Sequence, residues 1–307
     1  MGAEHNPGSA VLQGTSARAR GRWPAGARTR TLCSSRGARA GCAPGGPTMR
    51  GAYSLSRPRA DGPVVLWGGA LPSGSLKYLT FARYLAALPP GSRGLVELSG
   101  ASSALALDVL GRERGLPTVA LTDAAGAAYL RAHGFQGQVR HADSIAKLWE
   151  HALAYEREGW CWPRQLSNTT LVACVESWAS ALRAHVRERF PRVRRVVCGF
   201  GTGATLVGLT RVFSTGGFTV TGLQPAPGHP LPGWRTWAHQ NLGPEDLFFA
   251  HHQRIALDTA TPAPDGFTAL MDWARAQPRP EEVLVIAHNA REQVSASASV
   301  FAASAQA

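Results

Sequence analysis

Pro72-Ser73-Gly74-Ser75-Leu76-Lys77 and, about 120 residues later, Gly199-Phe200-Gly201-Thr202-Gly203-Ala204-Thr205 decide how this chain reads. The first stretch sets an amine beside a turn of small residues. In the second, glycines let backbone N–H groups converge on an anion while the next helix turns its positive end toward it. Thr202 and Thr205 add hydroxyl donors. A dinucleotide fingerprint is the rival reading, since Gly199, Gly201 and Ala204 match its spacing. That fingerprint wants an acid about 20 residues on, and none lies between Leu206 and Gln224. An unoccupied tight turn is the third reading.

Lys77 gains weight from scarcity. Residues 61–307 hold only Lys77 and Lys147 among many arginines. Where arginine is the default cation, a lysine in a Ser/Gly turn is wanted for its amine, because only lysine sheds its proton readily and forms an imine. Lys147 lies mid-helix and reads as surface. An imine-forming lysine with a distant phosphate cradle suggests a pyridoxal phosphate enzyme.

Charge is uneven along the chain. Residues 1–60 carry ten arginines against one acid, Glu4, so +9 of the formal +12 sits there and +3 remains for 61–307. A nucleic-acid binder is expected to carry its basic stripe on the folded part, which argues against that class. The Ala/Gly/Ser/Arg-rich leader lacks apolar periodicity and is expected to be disordered. It is Arg-rich and acid-poor like a transit peptide; the plainer reading, an over-extended start with Met49 as first residue, is preferred. No apolar run reaches the roughly 18 residues of a membrane span. Cysteines at 33, 42, 161, 174 and 198 show no metal-type pairing or disulfide pattern. Cys174 and Cys198 read as core, and a cytoplasmic location is expected.

From Gly62 strands and helices alternate. Strands are expected at Val64–Trp67, Leu95–Leu98, 117–122, Arg195–Gly199, 218–223 and 283–286. Helices are expected at 75–88, 101–114, up to about His133, from Asp143 to about Arg157, 170–190, 204–213 and 267–275. Such alternation implies an α/β fold, a mostly parallel sheet covered on both faces, with ligands at the carboxyl ends of the strands. Residues 225–245 look irregular. At Glu97-Leu98-Ser99-Gly100-Ala101-Ser102-Ser103 a strand ends in small hydroxyl residues that open a helix. Such a turn suits a bound carboxylate, and equally suits an ordinary N-cap by Ser99 or Ser102.

The order and spacing of these stretches resemble the pyridoxal-phosphate enzymes of the tryptophan synthase β-subunit fold (fold type II), especially cysteine synthase and cystathionine β-synthase. Pro72–Lys77 matches the P-[ST]-G-S-x-K turn of the Schiff-base lysine, and Ser99–Ser103 the S-G-N-T-G carboxylate loop. Gln165-Leu166-Ser167-Asn168 resembles the Gln-Phe-x-Asn stretch of the substrate site. Gly201–Thr205 matches the G-T-G-G-T phosphate loop, and Val220–Pro225 the strand after it. Five collinear matches span roughly residues 62–230.

The resemblance implies a two-lobed, three-layer αβα architecture with mostly parallel sheets. Residues 61–307 would form the catalytic unit, with a smaller lobe at approximately 91–165. It implies pyridoxal 5'-phosphate on catalytic Lys77. Gly201, Thr202, Gly203, Ala204 and Thr205 would anchor the phosphate, and His288 or Asn289 would face the ring nitrogen. Ser99, Gly100, Ala101, Ser102 and Gln165 would hold the substrate. The implied reaction is β-replacement or β-elimination on an O-activated serine- or cysteine-like amino acid, as lyase or transferase, with a small nucleophile and a homodimeric enzyme. Deaminase, desulfhydrase or racemase chemistry on the same fold is the alternative, and a degenerate, non-catalytic member is another. Departures from the pattern are Ala101 for the loop Asn, Ser103 for its last Gly, and Tyr78 after the lysine. They point to a divergent member, and the Arg- and Ala-rich composition to a bacterial specialised pathway. Trp234, Trp237 and His239 either line the substrate pocket or pack on the sheet, with packing preferred, and His251-His252 reads as surface.

Overall fold

The computed structural model describes residues 53–88, 91–99, 101–142, 144–229, 231, 234 and 255–288. The strands among them are β1 (Ser54–Ser56), β2 (Val64–Trp67), β3 (Leu95–Leu98), β4 (Thr118–Thr122), β5 (Gln138–His141), β6 (Arg195–Gly199), β7 (Thr219–Gln224), β8 (Ala256–Thr259) and β9 (Val283–Ala287). The helices are α1 (Lys77–Ala86), α2 (Ser102–Glu113), α3 (Ala124–Ala132), α4 (Ile145–Arg157), α5 (Thr169–Arg189), α6 (Ala204–Ser214) and α7 (Gly266–Arg275).

A six-stranded sheet runs β1-β2-β9-β6-β7-β8, parallel throughout except for β1, and a separate parallel sheet runs β3-β4-β5. Successive strand side chains point to opposite faces, and the core divides accordingly. Val64, Leu66, Val196, Cys198, Leu284 and Ile286 pack with Val175, Trp178 and Leu182 of α5 and Leu206, Leu209 and Phe213 of α6. Val65, Val197, Val283 and Val285 meet Ala269, Leu270 and Ala274 of α7 on the other face. Continuous apolar strands such as Val-Leu-Val-Ile-Ala in β9 are what a sheet covered on both faces requires. In the smaller sheet, which falls within 91–165, Val96, Val119 and Leu121 pack on Leu148, Ala152 and Tyr155 of α4.

Three strands were not anticipated, and one expectation is corrected. Gln138–His141 pairs parallel with β4 at the edge of the smaller sheet. Ser54–Ser56 lies inside the segment assigned to the leader, yet pairs antiparallel with β2 because Leu55 has a core to enter. Arg57, one of the leader arginines, donates to the Glu281 carbonyl at 2.8 Å and lies over the Phe190 ring. Half-polar Ala256–Thr259 extends the other edge on β7. Ser144, whose hydroxyl accepts from the Lys147 N–H, caps α4; Asp143, expected there, is outside the described residues, as are Trp237, His239, His251, His252, Cys33 and Cys42. Cys161, Cys174 and Cys198 are buried. No helix among the described residues is long and apolar enough to cross a membrane.

Helices α5 and α6 cross at Gly208, where an added Cβ would lie 2.5 Å from Val175 Cγ1 and 3.2 Å from the Val172 carbonyl. Helix propensity alone makes Gly208→Ala stabilising by about 1 kcal/mol. The crossing makes it destabilising instead, by about 1–3 kcal/mol, and urea unfolding of the variant reads the sign directly.

Candidate active site

The strand order β2-β9-β6 makes the carboxyl ends of three strands neighbours, and each opens into one of the stretches singled out above. After β2 the chain turns through Gly74, whose φ of +67° suits glycine, and enters α1 at Lys77. The Ser75 hydroxyl accepts from the Lys77 N–H at 3.2 Å, and Leu76 N–H donates to the carbonyl of His288, just past β9. After β6 the turn reaches Gly203, at φ +93°, which starts α6 with no side-chain cap. The first N–H groups of α6 therefore lack intrahelical acceptors at this end.

Strands β2 and β6 flank β9, two strand spacings or about 10 Å apart, and the turns that follow them narrow that gap enough for one side chain to span. Lys77 does so. Its half-buried Nζ donates to Thr202 Oγ1 in the glycine turn and to Gln165 Oε1, each at 3.3 Å. The sequence-predicted lysine, cradle and substrate-loop glutamine are thus brought to one point.

Gln165 belongs to the loop before α5. Arg164 adopts a left-handed φ of +51°, uncommon for a residue with a Cβ. It is held by two contacts to Glu156, at 3.0 and 2.6 Å, and by stacking over Trp162. Asn168 caps α5 by accepting from Thr170 N–H and returns Nδ2 to the Pro163 carbonyl. Gln165 Nε2 donates to Glu97 Oε1 at 2.8 Å and to Ser103 Oγ at 3.0 Å. Ser103 in turn donates to Ser99 Oγ at 2.7 Å, and Ser99 Oγ accepts from the Ala101 N–H. Ser102 is the first residue of α2, partly exposed, and Ala204 and Thr205 are buried at the start of α6. Gly100 and Asn289 lie outside the described residues.

Sequence reasoning missed Glu97 and passed over Ser103. Glu97 is fully buried, and its Oε2 has no hydrogen-bond partner. Burial pushes this carboxyl up to about 7, against the opposing pull of the Lys77 charge, the Gln165 hydrogen bond and the Leu98 N–H. An acid inside an otherwise apolar strand, Leu95-Val96-Glu97-Leu98, was the available signal. Tyr78, the unexpected neighbour of the lysine, donates to Glu113 at 2.9 Å and so ties the start of α1 to the end of α2. Trp234 packs its ring against Gly199 and Gly266, where added Cβ atoms would meet it at 2.3 and 2.9 Å. Its role there is packing.

His288 keeps some exposure as a residue, but its Nε2 is buried with no partner. Burial, and then the Lys77 charge, lower its pKa to about 3, so the imidazole is neutral across the physiological range. An orphaned neutral ring nitrogen beside the lysine loop fits a partner for a heteroaromatic nitrogen. The glycine turn at the N-terminus of α6 fits a phosphate.

No protein-family model matches the chain, and no curated protein sequence does. Solved structures do. An O-ureido-L-serine synthase superposes with a TM-score of 0.60 at 19% identity, over 78% of this chain and 89% of its own. An O-acetylserine-dependent cystathionine β-synthase from Helicobacter pylori gives 0.55 at 17% identity, over 77% and 91%. Maize serine racemase gives 0.55 at 12% identity, over 80% and 88%. The chain therefore has the tryptophan synthase β-like fold of the pyridoxal-phosphate enzymes of fold type II.

A histidine held neutral in the fold stabilises it above its unfolded pKa near 6.5, and that contribution is lost as pH falls toward 3. His288→Asn is expected to lose less stability than the parent between pH 6.5 and 4, by roughly 1–3 kcal/mol in urea unfolding. Parallel pH curves would contradict the buried, neutral imidazole.

Proposed function

We propose that this chain is a pyridoxal-phosphate enzyme that carries out β-replacement or β-elimination on an O-activated serine- or cysteine-like amino acid. The observation that carries the reading is the 3.3 Å approach of the Lys77 amine to Thr202 in the glycine turn. One small ligand bearing an aldehyde and a phosphate would meet both groups. The solved structures of this fold support the substrate class: one is described as an O-ureido-L-serine synthase, another as an O-acetylserine-dependent cystathionine β-synthase.

When bound, the cofactor supplies an electron sink for the α-carbon of an amino acid joined to it. The chain's residues do the rest. Lys77 Nζ would be the base placed to take the α-proton of the bound amino acid and to return it. Gly201, Thr202, Gly203, Ala204 and Thr205 hold the phosphate at the positive end of α6. Ser99 and Ser102, with the N–H groups that open α2, hold the substrate carboxylate. Gln165 contributes to that site, although both N–H groups of its amide are engaged with Glu97 and Ser103, so the face it turns toward Lys77 is its carbonyl. Neutral His288 would face the ring nitrogen without delivering a full proton to it, which would suit departure of a β-substituent better than chemistry needing a fully protonated ring. The deaminase and racemase alternatives share every one of these parts, and the contacts to the β-substituent would separate them.

Purified protein given pyridoxal 5'-phosphate is expected to develop visible absorbance at roughly 410–430 nm, the range of a lysine-bound cofactor. Lys77→Ala should abolish it, with turnover of O-acetyl- or O-phosphoserine falling at least about 1,000-fold. Protein that stays colourless would overturn the reading. Coloured protein that racemises serine but does not release the β-substituent would favour the alternative.

A further inference from the structure

Gln165 bridges a half-buried amine and a fully buried carboxyl. Its amide sits between the Lys77 amine and the Glu97 carboxyl, and the way round that it sits decides what Lys77 meets. With Nε2 toward Glu97 and Ser103, both N–H groups find acceptors and Oε1 accepts from Lys77. The reversed amide would aim its carbonyl at a carboxylate and its N–H groups at an amine, leaving two mismatched contacts in a buried site. Among the described residues, Glu97 is the ionisable group that penalises the reversal at the far end. Its fully buried position in β3, opposite Ala120 of β4, leaves it no solvent to satisfy it instead.

We propose that Glu97 is a positioning residue that acts through Gln165, locking the glutamine amide so that Lys77 faces a carbonyl acceptor and never a competing N–H. A carbonyl there stabilises the ammonium form and holds Nζ toward the glycine turn. An N–H there would instead compete for the lone pair that a nucleophilic amine needs. Among the described residues, few charged or titratable groups surround the pair. Lys77 faces Glu97 from α1 and acts on His288 after β9, which stays neutral. Arg164, next to Gln165, is spent on Glu156. The proposal takes Lys77 to be the reactive amine, as in the function proposed above, but its test needs no cofactor.

The test is competitive acylation of the intact protein with acetic anhydride across pH. The ratio of acetylated Lys77 to acetylated Lys147 gives the Lys77 midpoint, with the exposed lysine as internal reference. Glu97→Gln removes the negative charge and is expected to lower the Lys77 midpoint by about one pH unit. Gln165→Met removes the acceptor and should lower it in the same direction. In the double variant the combined shift should fall short of additivity by at least about half a unit, because Glu97 acts through the amide that is gone. Additive shifts would mean that Glu97 acts on Lys77 directly, and an unmoved midpoint in Glu97→Gln would mean that it does not act at all. Either overturns the proposal. Should Glu97→Gln fail to fold, Ser103→Ala loosens the other anchor of the same amide without touching charge. A lowered midpoint there supports the lock, and an unchanged one overturns it. Failure of the cofactor experiment with this coupling intact would count against the function and not against the positioning.

Discussion

A lysine amine held below the surface needs acceptors, and here it finds them from two parts of the chain that are remote in sequence. Thr202 comes from the turn after β6 and Gln165 from the loop before α5, both 3.3 Å from Lys77 Nζ. That convergence requires β2, β9 and β6 to be adjacent, and the adjacency depends on strands apolar on both faces lying between α5 and α6 on one side and α7 on the other. If the strand order changed, the amine and the glycine turn would part. The sheet is therefore the means by which the chain places one amine between two remote loops.

Around that nitrogen the electrostatics are asymmetric. On the β3 side a buried carboxyl is pushed up to about 7, and on the β9 side a buried imidazole is pushed down to about 3. Burial is the first cause of both shifts, since it disfavours the charged form of either group. The Lys77 charge then lowers both, easing ionisation of the acid while further opposing protonation of the base. Near neutral pH the site thus offers an amine, a carboxyl raised well above the usual carboxylate range and a neutral ring.

The strands and helices that carry this site were legible because their signals are local and redundant. Apolar β2, β6 and β9 and the glycine turn opening α6 each stand out in a short window. Lys77 was legible by scarcity. Glu97 was harder, because one acid in an apolar strand reads as an exception until Gln165, 68 residues away, is seen to answer it. Ser103 looked like a lost glycine, and only the hydrogen bonds to Gln165 and Ser99 give its hydroxyl a purpose. β1 was hidden by composition, since Ser-Leu-Ser among arginines carries almost no strand signal until Leu55 has a core to enter. Half-polar β8 was hidden for the same reason.

The chain's two lysines make the decisive measurement a clean one. Protein incubated with pyridoxal 5'-phosphate, reduced with borohydride and mapped by peptide mass should carry the label on Lys77 at one equivalent. Excess inorganic phosphate, competing for the glycine turn, should suppress that label. Label on Lys147, or label on Lys77 indifferent to phosphate, would contradict a single ligand held at both places.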